Sequence, residues 1–125
     1  MRISEVMNKA FVIDAKTSVK EAARIMSDKG IGSLIVMKGD KIEGIITERD
    51  VLKNISGLGK KVADVMSKNV ITIEKGDSLE NAAELMAEKK IKRLPVVSKG
   101  ELVGIVTATD VLANSDSLNE DFFFD

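Results

Sequence analysis

The sequence IGSLIVMKGDKIEGIITERDVL, residues 31–52, recurs as IKRLPVVSKGELVGIVTATDVL at residues 91–112. The similarity also extends upstream, since Val6-Met7 returns as Val65-Met66. A period of about 60 residues over nearly the whole chain is the signature of a duplicated structural unit. We therefore predict two repeats followed by a tail, with the boundaries 1–57, 58–115 and 116–125.

Each repeat has a βαββα pattern. Short apolar strands are predicted at residues 11–13 and 70–73, and each is followed by a helix with apolar residues at i, i+3, i+4 and i+7. Ser18 and Ser78 supply the N-caps of these helices. A hairpin and a last helix then complete each repeat.

A repeat of this size buries too little apolar surface to be stable alone. We therefore expect an α+β fold in which two βαββα repeats pack sheet to sheet with pseudo-twofold symmetry. The single proline, Pro95, lies near the start of a predicted strand. This position is tolerable because the missing amide donor matters least there, particularly on an edge strand.

The hairpin of each repeat ends in a fixed motif, Gly-Ile-Ile-Thr-Glu-Arg-Asp at 44–50 and Gly-Ile-Val-Thr-Ala-Thr-Asp at 104–110. Thr-x-x-Asp ahead of an apolar helix is typical of a capping box, in which hydroxyl and carboxylate satisfy backbone amides. A second interpretation is a nucleotide site. The helix start offers amides to a phosphate, and aspartate is a natural acceptor for ribose hydroxyls. Both interpretations can hold together, and the preceding glycine would leave room for a base near the backbone.

Composition excludes several classes of function. The chain has no Cys and no His, so thiolate or imidazole zinc sites, disulfides and Ser-His or Cys-His catalytic pairs are ruled out. Lys and Arg number 19 against 20 Asp and Glu, which disfavours binding to nucleic acid or to an anionic membrane. We expect a non-catalytic cytoplasmic protein with no membrane segment.

The whole pattern resembles the CBS (cystathionine-β-synthase) domain family: the repeat length, the Ala-Ala helix, the L-P-V-V strand and the closing G-h-h-T-x-x-D. The resemblance covers about residues 6–113. It implies a Bateman module, a tandem CBS pair that binds AMP, ADP, ATP or S-adenosylmethionine as a regulatory ligand.

Site residues follow from the resemblance by position. Asp50 and Asp110 would bind ribose hydroxyls, and Thr47 and Thr107, with Thr109 inside the second motif, would contact sugar or phosphate. Adenine would lie between aliphatic side chains in each of two slots. These are Ile105 with Phe11, Val12 and Ile31 in one slot, and Ile45 with Val70, Ile71 and Ile91 in the other.

The two sites are expected to be unequal. Lys92-Arg93 resembles the basic pair of AMP-binding family members, and a guanidinium suits phosphate because its planar fork donates two hydrogen bonds. Gly32 and Ser33 replace that pair in the first repeat. Arg49 is either a phosphate donor for the first site or a solvated arginine of the helix surface.

The sequence thus predicts an adenosyl-ligand sensor that controls a partner protein or its own assembly, most simply as a homodimer of CBS pairs. The alternative is a structural dimerisation module in which Thr-x-x-Asp only caps helices. Residues 122–124, Phe-Phe-Phe, either pack on a neighbouring subunit or remain disordered.

Overall fold

The computed structural model describes residues 1–114, so the predicted tail at 116–125, with its three phenylalanines, lies outside the described residues. The chain divides into two compact units. The first unit is Ala10–Val70, and the second unit combines Met1–Lys9 with the chain from Ile71 onward. The units therefore do not coincide with the predicted sequence repeats, because each repeat gives its opening segment to the other unit.

The first unit is a three-stranded sheet with helices. Strand order is β1-β2-β3, with β1 parallel and β3 antiparallel to the central strand β2. A 3-10 turn at Ile55–Gly57 precedes the last helix. The elements are β1 Val12–Asp14, α1 Val19–Lys29, β2 Ser33–Lys38, β3 Lys41–Thr47, α2 Glu48–Lys53 and α3 Val62–Val65.

The second unit repeats this arrangement with strand order β4-β5-β6. A 3-10 turn at Ile3–Glu5 takes the place of α3. The elements are β4 Ile73–Glu74, α4 Leu79–Lys89, β5 Arg93–Ser98, β6 Glu101–Thr107 and α5 Ala108–Ala113. The predicted βαββα pattern is confirmed in both copies, as is the α+β class.

The helix starts follow the predicted capping chemistry. The Ser18 and Ser78 hydroxyls accept hydrogen bonds of 3.0 Å from the amides of Glu21 and Asn81, which satisfies donors that the first turn leaves unpaired. The apolar stripe of each helix then faces its own sheet. Met26 and Met86 are only 4% and 7% exposed, which makes them core residues.

Each unit has its own hydrophobic core between helix and sheet. In the first unit, Leu34, Val36 and Ile46 on the sheet pack with Ala22 and Met26 of α1. The second core has the same design. Its buried members are Ile3, Ile73, Leu79, Ala82, Met86, Leu94, Val96 and Val106.

Pro95 lies near the start of its strand, as predicted, and that strand is the central strand β5, where a missing amide donor removes a hydrogen bond between strands. That bond is present in the first unit, where the equivalent amide of Ile35 donates to the Phe11 carbonyl at 2.9 Å. Proline cannot make that bond. Accordingly β4 has two residues where β1 has three, and pairing with β5 begins only at Val96.

The segment that opens each repeat is exchanged between units. We call Met1–Lys9 and residues 60–68 the lead segments. The first bonds to residues 75–79, including Ile3 N to Asp77 O at 2.9 Å, and the second bonds to residues 15–19 in the same manner. Ile3 and Val62, at equivalent positions, are both fully buried.

Every helix within residues 1–114 is too short or too polar to span a lipid bilayer.

Candidate functional site

The junction of β3 and α2 is a closed capping box. Thr47 donates to Asp50 Oδ2 from its amide at 2.8 Å and from its hydroxyl at 3.1 Å, and the Asp50 amide donates to Thr47 Oγ1 at 3.4 Å. Asp50 Oδ1 accepts no hydrogen bond from residues 1–114. The carboxylate is therefore fixed in place by one oxygen, while the other remains open.

The junction of β6 and α5 has the same geometry. Thr107 donates to Asp110 Oδ2 at 2.7 Å from its amide and at 2.9 Å from its hydroxyl, and Asp110 N donates to Thr107 Oγ1 at 3.3 Å. The capping interpretation is thus confirmed in both copies. Capping alone does not exclude a ligand, since a carboxylate offers about four acceptor sites.

Most amides at the two helix starts are paired within the protein. The Glu48 amide donates to Gly32 O at 3.1 Å and the Ala108 amide to Lys92 O at 2.8 Å, while the third amide of each turn is capped by threonine. Within the described part of the chain, this leaves the amides of Arg49 and Thr109 as the unpaired donors of the first turns. A phosphate therefore needs side-chain donors as well.

The glycine of each motif accommodates the protein chain rather than a base. A Cβ on Gly44 would lie 2.6 Å from Met66 Sδ and 2.8 Å from the Ser67 carbonyl oxygen. A Cβ on Gly104 would lie 2.8 Å from Met7 Sδ and 2.9 Å from the Asn8 carbonyl oxygen. The lead segment crosses the strand at this point. Our expectation that these glycines make room for a ligand was wrong for this reason.

Arg93 is a neighbour of Thr107 across the β5–β6 ladder. Directly opposed residues project from the same face of a sheet with Cβ atoms about 5 Å apart. Arg93 is partly buried and forms no hydrogen bond or ion pair within residues 1–114. Ser33 is the corresponding neighbour of Thr47, so the first motif has no arginine at the equivalent cross-strand position.

Asn8 contacts the second motif, which the sequence did not reveal. Its side-chain amide lies 2.9 Å from both Asp110 carboxylate oxygens. The backbone of Asn8 exchanges two hydrogen bonds with Ile105, at 2.8 and 2.9 Å, which fixes its position. Asn8 and Asp110 are far apart in sequence. They meet because the lead segment Met1–Lys9 packs in the unit that contains Asp110.

The remaining predicted residues are divided between the units. Ile45, Thr47, Arg49 and Asp50 share the first unit with Phe11, Val12, Ile31 and Val70, whereas Ile105, Thr107, Thr109 and Asp110 share the second with Ile71, Ile91, Lys92 and Arg93. Arg49, Thr109 and Lys92 are exposed at the surface. Each predicted adenine slot combines residues of both units, and it stays a prediction.

A groove of about 430 Å³ lies between α1 and α2 in the first unit, and Glu48 of the Thr-x-x-Asp motif is part of its lining. Its apolar lining includes Ala23, Val51 and Leu52. Leu52 is 70% exposed, and its counterpart Leu112 on α5 is 66% exposed. Leu52 extends the apolar lining of the groove, and contiguous apolar surface favours protein–protein contact.

Residues 1–114 contain no cluster of carboxylates suited to hold a metal ion.

Comparison with known proteins agrees with this architecture. The family model "CBS domain" matches the chain twice, over residues 3–57 and 62–116. The chain belongs to the CBS domain family.

Curated relatives differ greatly in length. An inosine-5'-monophosphate dehydrogenase of Korarchaeum cryptofilum is 41% identical over 109 residues, which are 86% of this chain and 23% of the relative. The CBS domain-containing protein YhcV of Bacillus subtilis is 32% identical over 84% of this chain and 78% of its own length. The chain thus spans a small part of some relatives and most of others.

Two similar solved structures are complexes. The CBS domain pair of protein MJ0100 with 5-methylthioadenosine and S-adenosyl-L-methionine has a TM-score of 0.87 at 27% identity, covering 94% of this chain and 98% of its own. CBSX2 in complex with AMP has a TM-score of 0.81 at 29% identity, with the same coverage of both chains. CBS pairs of this fold therefore bind adenosyl ligands.

The close crossing at the two glycines makes a testable prediction. Gly44→Ala and Gly104→Ala should each lower the free energy of unfolding by about 1–3 kcal/mol, because the added methyl collides with backbone oxygen that cannot move freely. Denaturant unfolding measures the loss. Gly59→Ala is the matched control, since nothing lies within 4 Å of its added Cβ. Equal stability of all three variants would contradict the packing described here.

Proposed function

We propose that this chain is a regulatory module that binds an adenosyl ligand through its two Thr-x-x-Asp junctions. The observation that carries the proposal is the open Oδ1 of Asp50, on a carboxylate that its capping box already holds in place. An ionised carboxylate oxygen without a partner is a ready acceptor for hydroxyl donors. Vicinal ribose hydroxyls are such donors.

The second junction adds a phosphate-binding group. Arg93 lies opposite Thr107, and no described carboxylate neutralises it. A free guanidinium beside a sugar-binding carboxylate suits a nucleotide in which phosphate is attached to ribose. Lys92 and the amide of Thr109 are further candidates for the same anion. This favours AMP, ADP or ATP in the second copy.

The base is proposed to lie among aliphatic residues, since the chain has no Trp or Tyr to stack on it. Support comes from the relatives, whose complexes contain 5-methylthioadenosine, S-adenosyl-L-methionine and AMP. The proposed slots keep the residues assigned from the sequence. These are Ile105, Phe11, Val12 and Ile31 for one slot, and Ile45, Val70, Ile71 and Ile91 for the other.

Ligand binding is proposed to control a partner protein or the assembly of the chain itself. CBS pairs occur within longer proteins, as the inosine-5'-monophosphate dehydrogenase relative shows. A ligand controls a partner to the extent that it binds the partner-bound and the free form of the module with different affinity. No catalytic role is proposed for its own residues.

The proposal predicts binding in calorimetry with AMP, ADP, ATP, S-adenosylmethionine and NAD. At least one should bind with a dissociation constant below about 1 mM, which corresponds to roughly 4 kcal/mol. Asp50→Ala and Asp110→Ala should each remove binding at one junction. Asp40→Ala, in the exposed β2–β3 turn, is the matched control and should leave binding unchanged. If no compound gives heat or raises the melting temperature, the proposal fails.

Arg93 makes a second prediction. Arg93→Ser, which copies Ser33 of the first repeat, should weaken AMP binding about tenfold by removing charge-assisted hydrogen bonds. Adenosine binding should not change, because adenosine lacks the phosphate. Lys99→Ser at the far end of the same hairpin serves as control. An equal loss for AMP and adenosine would show that Arg93 acts on the fold instead.

A ligand-free dimerisation module is the second candidate function. The closed capping boxes suffice to explain the conserved spacing of Thr and Asp within this chain, and the exposed Leu52 and Leu112 favour association. Under this hypothesis both Asp→Ala variants lose about 1 kcal/mol of stability, and no ligand raises the melting temperature.

Homodimer formation itself is testable under either function. Sedimentation should find a dimer for the unmodified chain and a monomer for the double variant Leu52→Ser, Leu112→Ser, because the apolar contact is lost. Val103→Ser, which changes an exposed apolar residue on β6, should remain dimeric. A monomeric unmodified chain would refute the dimer.

A further inference from the structure

The two junctions differ in how many acceptor sites their carboxylates keep. Asp110 Oδ2 accepts from the amide and hydroxyl of Thr107 and from the Asn8 side chain, and Oδ1 accepts from Asn8 as well. With about two lone pairs on each oxygen, Oδ2 is fully used by its three donors and Oδ1 keeps one acceptor site. Asp110 is therefore nearly saturated by the protein.

Asp50 has a different neighbour at the equivalent place. Ser67 exchanges backbone hydrogen bonds of 3.0 Å with Ile45, as Asn8 does with Ile105. The shorter Ser67 side chain, however, makes no hydrogen bond to Asp50 within the described residues. Asp50 Oδ1 consequently keeps both of its acceptor sites.

A vicinal diol needs two acceptor sites, because each hydroxyl donates one hydrogen bond. Asp50 offers two free acceptor sites on Oδ1. At Asp110 one acceptor site is free, so a diol must displace the Asn8 side-chain amide to form its second hydrogen bond. A hydrogen bond to a charged group has a net value that corresponds to about a tenfold or greater change in an equilibrium constant.

We infer that Asn8 is a specificity-determining residue that weakens diol binding at Asp110 and so makes the two junctions unequal. This inference rests on the proposed function. Asp50 is the junction for a neutral adenosyl ligand, whose sugar provides the main polar contact. Asp110 binds ligands that also carry an anionic group, because Arg93 compensates for the diol contact that Asn8 restricts.

Substituting Asn8 and Ser67 each by the other's residue type tests this inference. Asn8→Ser, which copies Ser67, should tighten AMP binding at the second junction about tenfold, and Ser67→Asn should weaken it at the first by a similar factor. Binding at each junction can be measured separately by NMR of the chain labelled at its isoleucine methyl groups. Ile45 and Ile105 each lie two residues before a motif threonine, so their methyl signals report on the first and the second junction. The Ile45 titration should not respond to Asn8→Ser.

A control ligand isolates the diol. The affinity of 2',3'-dideoxy-AMP should be the same with Asn8 and with Ser at that position, because it has no sugar hydroxyls to compete for Asp110. Unchanged or weaker AMP binding at Ile105 in Asn8→Ser would overturn the inference while leaving the proposed function intact. Failure of AMP to bind the unmodified chain at either junction would overturn both.

A melting experiment tests the contact itself without ligand. Asn8→Ser should lower the melting temperature of the unmodified chain by a few degrees, and by much less in an Asp110→Ala background, because the partner is already absent. An equal shift in both backgrounds would mean that the Asn8 side chain does not bind Asp110, and the inference would fall.

Discussion

The structure depends on the close crossing of each lead segment over a glycine in the third strand of its unit. At Gly44 and Gly104, a methionine sulfur and a backbone oxygen occupy the space that any other side chain would need. The crossing lets Ser67 and Asn8 pair with the strand two residues before the motif threonine. It therefore fixes both the edge of each sheet and the side chains beside the candidate site.

The crossing also explains why neither sequence repeat is a compact unit alone. Each hydrophobic core needs a buried aliphatic side chain from the other repeat's lead segment, Val62 in the first unit and Ile3 in the second.

Much of the fold could be predicted from the sequence because it depends on local rules. Ser18 and Ser78 cap their helices as their hydroxyl chemistry requires, and the apolar positions of the 3.6-residue period, Met26 and Met86 among them, lie in the core. The capping box at Thr47 and Asp50 is equally local, since its partners are three residues apart. Spacing alone was enough for these features.

The features that escaped prediction all depend on residues far apart in the chain. Pro95 was predicted near the start of a strand, where it lies, but its place in the central strand and the shortening of the neighbouring strand depend on the sheet topology. The role of Gly104 depends on Met7 and Asn8, which no local pattern connects to it. The Asn8 contact with Asp110 has the same origin, because it requires the lead segment to join the opposite repeat. A duplicated sequence predicts two equal units, and it does not show that their segments are exchanged.

That exchange lets the two junctions diverge without any change to the motif. The Thr-x-x-Asp box needs only one carboxylate oxygen to cap its helix, so the other oxygen is available for a different purpose. At Asp50 that oxygen is open, and at Asp110 the chain binds it with Asn8. A substitution in a lead segment therefore changes the acceptor capacity of the site while the cap and the core stay intact. In such a duplicated site, one oxygen of the aspartate stabilises the helix and the other is available to a ligand. A single substitution outside the motif can therefore change which ligand one copy binds. In this chain the position of Asn8 and Ser67 is where the structure allows such a change.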